Sequence, residues 1–264
     1  MHEDIKSTAI TAAGYIYQNR QGLRVLCDWL DAPTRYNRVK FECDDETAAP
    51  TGLDDIVVER SDGLVDLQQI KFTPNPDVHL LSLDWMLEKT GKTERSRSML
   101  RKWFDAFNKL DPARIGDISL TTNRRPDADI EACLDGGNIS FAKIPEPKRS
   151  DLITELGSAQ DCEVFFSYLH IRYSDKGYAT LEHEIDDRLR MHGTPEGIAV
   201  LKCVAMNWVT QKNVPPPDGW ITLPVVRSIL RATSPEPLPE DFVVPKVPRP
   251  YVRRTFLADQ LPHF

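Results

Sequence analysis

One segment constrains the fold more than any other: the run from Leu53 to Phe72, LDDIVVERSDGLVDLQQIKF. Two β-rich stretches, 55–60 and 64–72, flank Ser61-Asp62-Gly63. Glycine tolerates the positive φ that a tight turn requires, and aspartate bonds its own backbone, so the segment reads as a β-hairpin. Side chains alternate along a strand, so Leu67, Gln69 and Lys71 share one face, while Gln68 and Ile70 share the other.

The surroundings fix the class. Ile10, Ala13, Tyr17, Leu23, Leu26 and Leu30 recur at helical spacing, which predicts one amphipathic helix over 4–30, ended before Pro33. Gly14 within it costs stability relative to alanine, which points to a close packing approach. A strand is predicted over 38–43 (RVKFEC), helices over 79–90 and 95–110, and a further strand over 116–122. The second of those helices carries Met99, Leu100, Trp103, Phe104 and Phe107 on one stripe and stops at Asp111-Pro112. A loop follows at 123–126, then a short helix near 127–134 and a strand near 138–142. Helix, three strands, helices, strand is the order of an α/β sandwich and not of a helical bundle.

After residue 145 the pattern changes. The stretch 163–173 (EVFFSYLHIRY) is β-rich in composition, and 178–192, 195–212 and 221–232 read as helices. Thr194-Pro195-Glu196 is a helix start with proline at the first position. The expectation is a core over 1–145 and a mainly helical extension of the same domain over 146–234. From 235 to 250 proline recurs every second or third residue, which excludes helix and central strand. That segment, with the basic Arg249, Arg253 and Arg254 after it, reads either as a linker to a further module or as an arm over 235–264.

Composition narrows the classes. At 264 residues, 41% hydrophobic and 28% charged, the chain has an ordinary globular profile. No apolar run approaches the roughly 20 residues that a membrane helix needs, and the polar start MHEDIKSTAI is unlike a secretory signal. A cytosolic, membrane-free protein is expected. A net charge of -7 argues against nonspecific coating of nucleic acid, but not against an enzyme that gathers acids at a metal. The five cysteines, Cys27, Cys43, Cys133, Cys162 and Cys203, form no CxxC pair and read as buried free thiols. There is no HExxH, GxxxxGK[ST] or GxSxG motif.

The hairpin also carries the candidate chemistry. Asp55 opens the first strand, and Gln69-Ile70-Lys71 closes the second. Asp55 supplies a carboxylate, Gln69 a neutral side-chain carbonyl and Ile70 a backbone carbonyl, a hard-oxygen set suited to Mg²⁺ or Mn²⁺. Lys71 suits the attacking water or the phosphate charge in phosphodiester hydrolysis. Glu42 either faces the metal or is a solvated strand residue. Asp54 is the alternative to Asp55, one residue away and on the opposite face. Polar residues on a solvent-facing hairpin produce such triplets by chance; the apolar strand and the flanking helices favour the functional reading.

Gly14-Tyr15-Ile16-Tyr17-Gln18, Glu42, Leu53 to Val58, and Leu67 to Lys71 together resemble the double-stranded-DNA endonuclease domain of bacterial anti-phage effectors. That domain belongs to the PD-(D/E)XK restriction-endonuclease-like superfamily. It is similar to the N-terminal nuclease of CD-NTase-associated (CBASS) effectors and of some antiviral STAND ATPases. Ile118 to Asn123 is similar to the family's later core strand. The resemblance covers about residues 10–235 in pattern and is specific over 14–72. It implies a restriction-endonuclease-like mixed sheet flanked by helices, a Mg²⁺-dependent endonuclease, catalytic roles for Asp55, Gln69 and Lys71, and an approach of Gln18 to the site. The superfamily's usual glutamate at position 69 is glutamine here, which leaves one less negative charge on the metal. A sensor domain, either beyond residue 264 or in a partner chain, and a homo-oligomeric active state are also implied.

Candidate DNA-phosphate contacts are Arg95, Arg97, Arg101 and Lys102 within two turns of the predicted helix, and Arg124 and Arg125 after a core strand. Solvated charged faces are the commoner explanation of such clusters. No helix-turn-helix or zinc-finger spacing predicts base-specific reading.

Overall fold

The computed structural model describes residues 7–43, 49–89, 91, 96–211, 215 and 218–232. The proline-rich segment, with the expected linker or arm over 235–264, lies outside the described residues.

The elements run α1 (Ser7–Asp31), β1 (Tyr36–Phe41), β2 (Ile56–Arg60), β3 (Val65–Lys71), α2 (Leu83–Leu87), α3 (Met99–Phe107), β4 (Ile115–Thr122) and α4 (Ala128–Cys133). They continue with β5 (Leu134–Asp135), β6 (Asn138–Ile139), α5 (Lys148–Leu156), α6 (Ala159–Tyr168), β7 (Leu169–Arg172), α7 (Tyr178–Leu189), α8 (Pro195–Thr210) and α9 (Leu223–Leu230). One seven-stranded mixed sheet, ordered β1-β2-β3-β4-β7-β6-β5, has helices on both faces. The β1-β2-β3 part is antiparallel, whereas β3, β4 and β7 run parallel.

The hairpin forms as its turn chemistry dictates. Gly63 takes φ +87°, Asp62 Oδ1 accepts the Leu64 N–H at 3.1 Å, and Arg60 N–H donates to the Leu64 carbonyl at 2.8 Å. Val57 then stands opposite Leu67, and Ile56 opposite Gln68. Alternation divides these residues between two cores. Val57, Leu67, Ile118, Leu120, Leu169 and Ile171 join Trp103, Phe104, Phe165 and Phe166 from α3 and α6. Ile56, Val58, Ile70, Val39 and Phe41 join Trp29, Leu181, Leu201 and Trp208 from α1, α7 and α8.

The structure corrects several local readings. Most of the β-rich stretch 163–173 is helical: α6 runs to Tyr168, and only Leu169–Arg172 is strand. Ser158 caps α6 by accepting the Asp161 N–H, and Cys162, Phe165 and Phe166 fall on one buried helical face. The strand near 138–142 is limited to Asn138–Ile139, the helix over 79–90 to Leu83–Leu87, and that over 95–110 to Met99–Phe107. Ser82 and Ser98 cap those two helices and set their starts. Residues beyond 145 also supply a strand to the central sheet, because β7 pairs with β4 in parallel. Four cysteines are buried and free as expected, whereas Cys203 is exposed.

Gly14 is not the glycine of close approach. A Cβ there would meet nothing within 4 Å, but one at Gly22 would sit 2.6 Å from the Phe41 ring. Gly22→Ala is therefore expected to destabilise by about 1–3 kcal/mol through overpacking. Gly14→Ala is expected to stabilise by about 0.5–1 kcal/mol through helix propensity. Urea denaturation of the two variants against wild type checks the opposite signs.

Candidate functional site

The ladder between β2 and β3 ends at Ile56 opposite Gln68. Beyond it the Asp55 carboxylate takes over the next amide. Its Oδ2 accepts the Ile70 N–H at 2.6 Å and the Gln69 Nε2 amide, and the Lys71 Nζ lies 3.8 Å away. Lys71 Nζ also donates to the Ile70 carbonyl at 3.1 Å. Ile70 thus turns both backbone polar groups toward this cluster while its side chain enters the core on the other face. Asp54 is turned elsewhere: its Oδ1 accepts the Gly52 N–H at 2.9 Å.

Glu42 and Gln18 complete the group. Strand β1 ends at Phe41, and Glu42 takes φ +49°, a backbone state that a non-glycine residue adopts at a cost. The Glu42 N–H donates to the Asp55 carbonyl at 3.0 Å, which ties the bend to the start of β2. The buried Gln18 of α1 donates from Nε2 to Glu42 Oε1 at 2.7 Å and to the Asp55 carbonyl at 3.4 Å. Gln18, Glu42, Asp55, Gln69, Ile70 and Lys71 therefore meet at one end of the β2–β3 pair.

Two supports escaped the sequence reading. Asn123, after β4, clamps the chain just past Lys71: its Oδ1 accepts the Thr73 N–H at 2.9 Å, and its Nδ2 donates to the Thr73 carbonyl at 2.7 Å. Asp175, after β7, anchors the helix that carries Gln18. It accepts from Tyr17 Oη at 3.2 Å, Gln21 Nε2 at 2.5 Å and Arg24 Nη1 at 3.1 Å. Polar residues just beyond strand ends were the available signal, but their partners lie 50 to 158 residues away in sequence.

Within this cluster the perturbed group is Asp55. Burial pushes its carboxyl up to about 6, with Glu42 and Asp54 adding repulsion, while Lys71 and the Ile70 N–H pull the other way. A carboxylate kept from water beside a second carboxylate is one that a bound cation would relieve. Among the described residues no three His, Cys, Asp or Glu side chains converge on one point. The oxygens on hand are the carboxylates of Asp55 and Glu42 with the Ile70 carbonyl, joined by the Gln69 side-chain oxygen once its amide, which now turns Nε2 toward Asp55, rotates. Together they are a hard set of the kind that holds Mg²⁺ or Mn²⁺. No protein-family model matches the chain, and no curated protein matches it either.

The predicted DNA contacts are dispersed. Arg97 pairs with Asp105. Arg101 pairs with Asp105 at 2.8 Å and donates to the Glu155 carbonyl at 2.6 Å. Arg124 lies over the Trp85 ring at 4.3 Å and donates to the His79 carbonyl at 2.8 Å. Arg125 pairs with Asp77 at 2.9 Å with both side chains well exposed. Lys102 is exposed on α3, and Arg95 lies outside the described residues. Arg124 and Arg125 follow Thr122, which stands beside Lys71 in the sheet. No described helix is long and apolar enough to cross a membrane.

Proposed function

We propose that this chain is a metal-dependent endonuclease domain of the restriction-endonuclease-like type, acting on double-stranded DNA with little sequence preference. In that reading it is the effector part of a bacterial anti-phage system, regulated by a sensor module. The observation that carries the reading is the convergence of Asp55, Gln69 and Lys71, with Glu42 and Gln18 behind them, at one end of the β2–β3 pair.

Asp55, Gln69 and the Ile70 carbonyl would hold Mg²⁺ or Mn²⁺, with Glu42 as a further carboxylate. When bound, the cation lowers the pKa of water and offsets charge on the phosphate. Lys71 Nζ orients the attacking water and faces the developing negative charge. Gln18 fixes the Glu42 carboxylate and the start of β2, and the Thr73–Asn123 pair fixes the end of β3. Nucleases of this kind usually use two such sites for a double-strand break, so in this reading the active species is a homo-oligomer.

Plasmid DNA incubated with the protein is expected to be cut in Mg²⁺ or Mn²⁺ and to remain intact in EDTA. The same reaction on RNA of matched length is expected to be slower. Cleavage indifferent to EDTA would overturn the metal reading. A second reading is a nuclease-like module that binds DNA without cutting. It is favoured by one detail: the Gln69 amide turns its NH₂ group toward Asp55. Gel shift without cleavage in either metal, by a sensor-bearing longer chain as well as by this one, would select that alternative.

A further inference from the structure

The sheet face beneath α1 and α7 carries polar side chains where the opposite face is apolar. Gln68, Ser119 and Thr121 alternate with Leu67, Ile118 and Leu120, and they are 7%, 0% and 3% exposed. Among the described residues the buried Ser119 Oγ has no hydrogen-bond partner. Buried polar groups in a fold are normally paired, so each such exception calls for water or a ligand.

Gln68 and Thr121 line a cavity of about 330 Å³. Arg24 and Arg188, from α1 and α7, and Arg172, at the end of β7, contribute to its wall. The carboxylates in the same wall are already engaged. Glu184 takes Arg24 at 3.5 Å and Lys176 at 2.8 Å, and Asp28 takes Arg188 at 2.8 Å. Arg172 spends only one Nη2 contact, on Asp117 at 3.3 Å. Arg24 also bonds Asp175 at 3.1 Å and Arg188 also bonds Asp31 at 2.5 Å, but a guanidinium has five N–H donors, so each arginine keeps some to spare and the wall's remaining hydrogen-bonding capacity is mostly donor capacity.

We infer that this cavity binds a small molecule through a phosphate group. Arg172 and Arg24 supply charge-assisted hydrogen bonds, and the Thr121 hydroxyl and Gln68 amide supply neutral ones. The volume accommodates inorganic phosphate with water or a phosphomonoester about the size of a mononucleotide. The site is separate from the Asp55–Lys71 cluster, because Gln68 and Gln69 project to opposite faces of β3.

Isothermal titration of the full chain at low ionic strength, with inorganic phosphate and with adenosine monophosphate, tests this. Saturable binding is expected, weakened at least about tenfold in Thr121→Val and in Arg172→Gln, and changed less than about twofold in Lys71→Ala. Thr121→Val preserves shape, so a loss there reports the hydroxyl and not the fold; circular dichroism confirms folding of both variants. Tighter binding of the monophosphate than of phosphate makes the ligand a phosphomonoester, and equal binding makes it free phosphate; both support the site. No binding of either compound at millimolar concentration overturns the inference. So does binding lost in Lys71→Ala and kept in Thr121→Val, which would place the phosphate at the other cluster.

Discussion

Lys71→Ala is expected to remove metal-dependent cleavage, by at least about 100-fold in rate, while leaving a folded protein. The ammonium lies 3.8 Å from Asp55 Oδ2 and 3.1 Å from the Ile70 carbonyl, which in the proposed nuclease reading is where the attacking water and the phosphate would meet the carboxylate. Its side chain is about a third exposed, so truncation empties little of the core. Lys71→Arg separates two roles. Arginine keeps the positive charge but holds its protons too tightly to exchange them near neutral pH. Partial activity in Lys71→Arg would assign the residue to charge stabilisation, and no activity would assign it to water orientation or proton transfer. Wild-type rates in Lys71→Ala, with EDTA still blocking cleavage, would mean that the reaction happens elsewhere on the chain.

The residues of this site were legible because they are local. Asp55, Gln69 and Lys71 lie on consecutive strands joined by a recognisable turn, so period-two alternation and hairpin register bring them together. Glu42 was harder: it occupies a positive-φ bend, and nothing in RVKFEC announces one where glycine or asparagine would be expected. Gln18 was placed by resemblance, and the hydrogen bonds that make it part of the site are tertiary. The arginines show the limit of reading charge from sequence. Asp105 lies four residues from Arg101 and could be foreseen, but the Glu155 carbonyl that engages the same side chain lies 54 residues away. In the stretch 163–173, aromatic and β-branched content outweighed a helical period that was also present: Ser158, Cys162, Phe165 and Phe166 mark a capped amphipathic helix. Composition misled there because a strand and a helix buried against a sheet draw on the same residues.

Asp55→Asn is expected to make the protein more stable at pH 7, by about 1–3 kcal/mol, while abolishing cleavage. The carboxyl's ordinary value is 3.8, and burial raises it to about 6 in the folded chain. Between those pH values the folded state keeps a proton that the unfolded state has released. Stability therefore falls as pH rises through this window, by up to about 3 kcal/mol at 1.36 kcal/mol for each tenfold change in proton affinity. The asparagine side-chain oxygen still accepts the Ile70 N–H but carries no charge to bury. Urea denaturation should accordingly show the variant ahead of wild type at pH 7, with the difference closing near pH 4. Asp66, also pushed up to about 6 by burial, leaves a residual slope in both proteins. Mg²⁺ adds an independent arm: a cation held by Asp55 should raise the wild-type midpoint and leave that of Asp55→Asn unchanged. If the variant proves less stable than wild type at pH 7, the donors from Gln69, Ile70 and Lys71 outweigh the cost of burying the charge. The carboxylate would then be a structural tie, and the case for a cation-hungry site would lose its electrostatic support.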